Sequence, residues 1–197
     1  METLFLARHA ETEYNTRGLV NGDPTLRVGL TELGIQQARS LGEALTEEPL
    51  DLCVVTEFPR TRETAEVALE GRHVPRLVRR DLDDPRCGAF EGRPLEEYRA
   101  WVTGRGSRNP IPGGGESRLE IVERYVLGFT ALLERPELRI LAVLHSLPLA
   151  YLYGVLEGRD PTTRMEIVPY AEVRRLTRAE VGLGVERLQA WCRSPTW

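Results

Sequence analysis

Leu4-Phe5-Leu6-Ala7-Arg8-His9-Ala10-Glu11-Thr12-Glu13-Tyr14-Asn15 is an apolar run that stops at a permanent cation beside an imidazole. Four consecutive apolar residues bounded by polar ones suit a strand buried on both faces, as in a parallel sheet. A second run, Ile140-Leu141-Ala142-Val143-Leu144, ends in the same way at His145. Two of the chain's three histidines therefore stand where a buried strand ends.

Working outward, the pattern alternates. Thr31 is placed to cap a helix running to about Leu45, with Leu33, Ala38, Leu41 and Leu45 near helical spacing and Pro49 beyond it. Leu50 to Val55 is a predicted strand, Pro59 opens a helix through Leu69 closed by Gly71, and Val74 to Val78 is a predicted third strand. Residues 81 to 116, rich in Asp, Gly, Pro and Arg around one short helix from Pro94 to Val102, interrupt the rhythm and are read as an inserted cap. Ser117 and Glu120 form a capping box opening a long helix that Pro136 ends. The strand Arg139 to Leu144 then leads through His145 into a helix from Pro148 to Leu156, with Gly158 just beyond it. Ala171 to Leu176 and Val185 to Leu188 are expected to be two closing strands.

Strands alternating with helices predict a three-layer α/β/α sandwich with a mostly parallel central sheet and a small inserted cap, as one domain over 1–197. Such sheets bind ligands at the carboxyl ends of their strands, so His9 and His145 are expected in one crevice.

Composition narrows the chemistry. All 26 basic residues are arginine. Without lysine there is no Schiff-base catalysis and no Walker-type lysine, so Pro112-Gly113-Gly114-Gly115-Glu116 is not a nucleotide loop. A net charge of −4 with scattered arginines argues against nucleic acid, and no stretch approaches a membrane span. Three widely spaced cysteines and no secretory signal point to a cytoplasmic protein. Three histidines without ligand spacing offer no metal site. No heptad or apolar stripe indicates an oligomeric state.

A neutral imidazole is a competent nucleophile toward phosphorus, and arginine offers a planar fork suited to phosphate oxygens. Arg8 and His9 supply both, and Arg60, in the first turn of the Pro59 helix, adds a second fork at a positive helix end. His145, if held protonated beside the anion, would donate to a phosphoryl oxygen. A leaving alkoxide needs a proton, for which Asp81, Asp83 and Asp84 are the nearest candidates.

At these residues the chain resembles the histidine phosphatase superfamily, in its phosphoglycerate mutase-like branch. The opening Arg-His-Gly-Glu-Thr, two free positions, then Asn is matched by Arg8, His9, Glu11, Thr12 and Asn15. Asn21-Gly22, Asp23, Leu30-Thr31, Gly34 and Gln37-Ala38 continue the register, followed by Arg60 with Thr64-Ala65, then Asp84, Gly88 and Glu91-Gly92, then Gly114 to Ser117, and finally His145. The resemblance implies a cofactor-free, metal-independent phosphomonoesterase acting on a small phosphorylated metabolite. In that scheme His9 is transiently phosphorylated, Arg8, Arg60 and His145 hold the phosphoryl group, and Asp84 is general acid and then base. It also implies contacts from Asn15 and the Asn21-Gly22 turn.

A phosphoglycerate-type mutase and a catalytically silent phosphate-binding module are the alternatives. Ala10 and Ser146 stand where the family has Gly, Asn21 where it has Gln, and Asp84 where Glu is commoner, with Asp83 as a competing acid. Arg17, Arg86, Tyr98 and Arg105 are candidates for recognising the rest of the substrate. Sugar phosphates, phosphoglycerates and nucleoside-like phosphates such as α-ribazole phosphate all remain open.

Overall fold

The computed structural model describes residues 1–197. Five strands, β1 (Thr3–Arg8), β2 (Leu52–Val55), β3 (Arg76–Val78), β4 (Arg139–Leu144) and β5 (Val173–Thr177), form one sheet in the order β3-β2-β4-β1-β5. β1, β4, β2 and β3 run parallel, and β5 closes the edge antiparallel to β1. Arg8 pairs with Leu144 in the β1–β4 register, so His9 and His145 leave the sheet side by side.

Both faces of the sheet are covered, which is why its central strands read as unbroken apolar runs. Leu4, Leu6, Val54, Ile140, Ala142 and Leu144 point to one side, against α5 (Arg118–Leu133), α6 (Ser146–Leu156) and α7 (Arg178–Arg193). Phe5, Ala7, Cys53, Val55, Leu141 and Val143 point to the other, against α2 (Glu32–Ala44) and α3 (Pro59–Ala68). Each fully buried leucine here contributes roughly 1.5–3 kcal/mol. A third cluster, Val20, Cys87, Phe90, Tyr98, Val102 and Ile111, organises the 81–116 segment around α4 (Leu95–Thr103). Gly22 anchors that segment, since an added Cβ would fall 2.1 Å from the Pro85 carbonyl oxygen.

One predicted element is wrong in kind. Val185 to Leu188 is not a strand but part of α7. Thr177 and Glu180 form a reciprocal capping box, and Val181, Val185, Leu188 and Trp191 recur at helical spacing and are buried. Gly184 lets the helix approach Leu152, 2.4 Å from where a Cβ would lie. A short helix, α1 (Glu13–Thr16), is additional, and the β5 strand begins two residues later than its apolar pattern suggested.

Candidate active site

His9 is the residue after β1, and its backbone N–H continues the ladder to the Leu144 carbonyl at 2.8 Å. The side chain is 3% exposed, with Nδ1 2.7 Å from the Ala10 carbonyl oxygen. A carbonyl only accepts, so Nδ1 carries the hydrogen, and a neutral ring keeps its lone pair at Nε2. Burial first, then the charges of Arg60 and Arg8, hold His9 well below the ordinary histidine range. The imidazole is therefore neutral, with Nε2 available as a nucleophile.

Ala10 is accommodated without strain. Only Ala171 among non-glycine residues has positive φ, so the left-handed conformation that a family glycine could supply is not used here. The Ala10 methyl is buried in the α2–α3 core, and its N–H donates to Thr64 Oγ1 at 3.0 Å.

Arg8 and Arg60 flank the histidine. Arg8 donates to the Val168 carbonyl at 2.8 Å and stacks on Tyr170, with Cζ 3.8 Å from the ring centroid, leaving Nε buried and unpartnered. Arg60, 3% exposed, directs Nη2 to Asp84 Oδ2 (2.7 Å), His145 Nδ1 (3.1 Å) and the Asn21 carbonyl (3.2 Å). Its Nη1 and the Asn21 side-chain oxygen are buried without partners. Buried donors on two arginines at one strand-end crevice are the arrangement an anion would complete.

His145 is fully buried, its ring centroid 5.5 Å from that of His9. A hydroxyl chain fixes its tautomer. Thr61 Oγ1 donates to the Phe58 carbonyl at 3.0 Å, so the hydrogen in the 2.9 Å contact between Thr61 and Thr56 comes from Thr56. Thr56 Oγ1 must then accept from His145 Nε2, 3.0 Å away. Nδ1 faces Arg60 and Asp84, and burial together with Arg60 holds His145 well below the ordinary histidine range. Without a bound anion His145 is neutral; the protonated form considered from sequence belongs to the anion-bound site.

The structure brings Asp84, and not Asp83, to this cluster. Asp84 Oδ2 is also 3.6 Å from His145 Nδ1, and burial raises the carboxyl against the opposing pull of Arg60 and Arg8. Asp83 Oδ1 instead accepts the Glu57 N–H at 2.9 Å, and burial pushes its carboxyl up to about 6. Arg124, unread from sequence, clamps the loop holding both. It donates to the Asp81 and Asp83 carbonyls at 3.2 and 2.8 Å and grips Glu116 through two 2.9 Å contacts.

The remaining predicted contacts are placed differently. Asn15 Oδ1 accepts from Thr12 N–H and Oγ1 at the start of α1, which leaves only its amide NH2 for a ligand. The Gly22 N–H is taken by Glu91, whose carboxylate also accepts the Cys87 N–H and so ties the Asn21-Gly22 turn to the Asp84 loop. Ser146 accepts from the Val168 N–H at 3.0 Å, fastening the loop that holds Arg8. Thr56, Thr61 and Arg124 carried no signal in the sequence beyond their neighbourhood, whereas Glu91 stood in the Glu91-Gly92 block without a role read for it.

Comparison with known proteins gives the family and the fold. The adenosylcobalamin/alpha-ribazole phosphatase of Salmonella typhimurium is 39% identical over 122 residues, which are 57% of this chain and 58% of that protein, so the match spans under two thirds of that relative's length. The 2,3-bisphosphoglycerate-dependent phosphoglycerate mutase of Methylobacterium sp. is 33% identical over 177 residues, 81% of this chain and 83% of that protein. The crystal structure of a putative alpha-ribazole-5'-P phosphatase from Escherichia coli superimposes with a TM-score of 0.75 at 29% identity, covering 89% of this chain and 90% of that one. A family profile matches residues 4–190, and the chain belongs to the histidine phosphatase superfamily, branch 1.

Proposed function

We propose that the chain is a metal-independent phosphomonoesterase that hydrolyses a small phosphorylated metabolite through a phosphohistidine on His9. The observation that carries this reading is the neutral His9, its Nε2 lone pair free, beside two buried arginines with unpartnered donors. Ligand-free, Arg8 and Arg60 against Asp84 leave the site with one excess positive charge. An ester dianion reverses that sign, which favours proton uptake at the raised Asp84 carboxyl and at the neutral His145.

His9 Nε2 then attacks phosphorus and the ester P–O bond breaks, while Asp84 passes its proton to the leaving oxygen. Arg8, Arg60 and Asn15 would bind the equatorial oxygens, and His145 would donate from Nδ1 once protonated beside the anion. Water, its proton taken by Asp84, next attacks the phosphohistidine, releasing phosphate and restoring His9. The Asp84 side chain is 26% exposed, and that access for water favours hydrolysis over transfer to a second alcohol. Names of relatives, alpha-ribazole phosphatase among them, are consistent with a small phosphate ester. Three free cysteines support a reducing, cytoplasmic setting, and no helix is long and apolar enough to cross a membrane.

Phosphate release from phenyl phosphate in excess chelator tests the reading, with His9→Ala as control and quenching in denaturant at alkaline pH to preserve label on histidine. Release by the wild type alone, with acid-labile phosphate on His9, is the expected result. Transfer between phosphoglycerates without net release would establish the mutase instead, and phosphate binding without labelling would establish a silent module.

A further inference from the structure

Tyr170 is half-buried and belongs to none of the matched sequence blocks, yet it walls the phosphate site. Its ring faces the Arg8 guanidinium, 3.8 Å from centroid to Cζ, and its centroid is 6.0 Å from that of His9. The backbone brings it there through an uncommon conformation. Tyr170 bridges Arg8 in parallel and the Ala171 N–H donates to the Arg8 carbonyl at 3.0 Å, yet β5, two residues on, runs antiparallel to β1. The chain reverses next to Ala171, whose φ of 52° makes it the only non-glycine residue in the left-handed region. A Cβ disfavours that region, and such residues persist where their surroundings hold them, with functional sites the commonest place.

One hydrogen bond fixes a point, and an aromatic face fixes a plane. Arg8 Nη1 donates to the Val168 carbonyl at 2.8 Å, and the Ser146 hydroxyl holds the same residue by accepting the Val168 N–H at 3.0 Å. That contact alone leaves the guanidinium free to swing about it. The Tyr170 ring stops the swing, because a planar cation is drawn onto a ring face. Arg60 is held by the Asp84 carboxylate, whereas Arg8 pairs with no carboxylate, so the carbonyl and the ring are what hold it. Arg8 Nε, buried and unpartnered, lies on the edge left for a ligand. A fork fixed in this way loses little freedom when an anion arrives, and the saving appears as affinity.

We propose that Tyr170 is a positioning residue for the phosphate site: its ring holds the Arg8 guanidinium so that the edge through Nε meets the phosphoryl oxygens already aimed. The ring acts through Arg8 and takes no part in proton transfer. Its face does the holding, not its hydroxyl. This inference rests on the phosphatase reading.

Tyr170→Leu, which removes the ring, and Tyr170→Phe, which keeps it, test the inference with phenyl phosphate as substrate and inorganic phosphate as competitor. In Tyr170→Leu the KM of the ester and the Ki of phosphate should rise together by about tenfold, with kcat falling less than about threefold, because a misaimed fork grips the phosphoryl group less well throughout the reaction. Tyr170→Phe should keep both constants within about twofold of the wild type. The Arg8 Nε–H proton, assigned by its loss in Arg8→Lys, should be shifted upfield by the ring in the wild type and in Tyr170→Phe, and released from that shift in Tyr170→Leu. Tyr170→Gln, a second ring-less variant suited to a half-exposed position, should behave as Tyr170→Leu does and replaces it if the leucine variant does not fold. Unchanged KM and Ki without the ring, a loss in Tyr170→Phe as large as in the ring-less variants, or an unmoved Nε–H proton overturns the positioning role while leaving the phosphatase reading standing. Failure of the wild type to hydrolyse phenyl phosphate overturns the phosphatase reading, and this role with it.

Discussion

Asp84 is ion-paired to Arg60 inside the site, Oδ2 to Nη2 at 2.7 Å, with the arginine side chain 4% exposed and the carboxylate 26%. In the proposed mechanism this pair joins the acid to the phosphate clamp until an anion arrives. Phosphate would displace the carboxylate from part of the arginine fork, and the displaced group is the one proposed to take a proton. Binding and acid loading would then be coupled by one shared donor.

Asp84→Asn removes the proton donor, and its effect should depend on the leaving group. Hydrolysis of an alkyl phosphate should slow about 10²–10⁴-fold, while 4-nitrophenyl phosphate, whose phenolate leaves unaided, should lose far less. Steady-state kinetics on both esters checks this, with Asp83→Asn expected to lower neither by more than a few fold.

Thr56→Val leaves the Nε2 hydrogen of His145 without its acceptor at 3.0 Å. The buried donor costs about 1–3 kcal/mol, and the ring is free to take the other tautomer. A fall in kcat of about tenfold or more is expected, with Thr56→Ser close to wild type. Nitrogen chemical shifts of His145 would report the tautomer directly, and an unchanged pattern in Thr56→Val would contradict the hydroxyl chain.

Asp83 gives a pH signature of stability. Its folded carboxyl, raised by burial to about 6, binds a proton more tightly than in the unfolded chain, so it contributes stability at low pH that is lost as pH rises through that value. Asp83→Asn, which keeps an acceptor for the Glu57 N–H, should match the wild type near pH 4 and exceed its melting temperature above pH 6. Thermal melts across that interval test the sign.

Arg124→Met leaves Glu116, 4% exposed, without its bidentate partner and frees the Asp81 and Asp83 carbonyls. Breaking a buried pair by removing one member costs about 3–5 kcal/mol. Denaturant unfolding should register that loss. Activity should fall in the same variant at temperatures where it remains folded, since the Asp84 loop is no longer clamped.

Much of this was legible in one dimension. Leu4 to Ala7 and Ile140 to Leu144 announce central strands because a strand buried on both faces has no polar positions to place, and His9, Arg60 and His145 follow from residue type at strand and helix ends. Val185 to Leu188 misled because four residues, Val-Glu-Arg-Leu, are too few to fix a period, and the capping box at Thr177 and Glu180 carried the decisive information instead. Only the tertiary structure separates the positions of Asp83 and Asp84, adjacent residues whose side chains diverge to Glu57 and to Arg60. It also decided which nitrogen of each histidine carries the hydrogen, because a tautomer is set by the partner across the contact, Ala10 for His9 and Thr56 for His145. The sequence determined which residue types stand at the strand ends; through-space hydrogen bonds from residues distant in the chain determined their protonation and their aim.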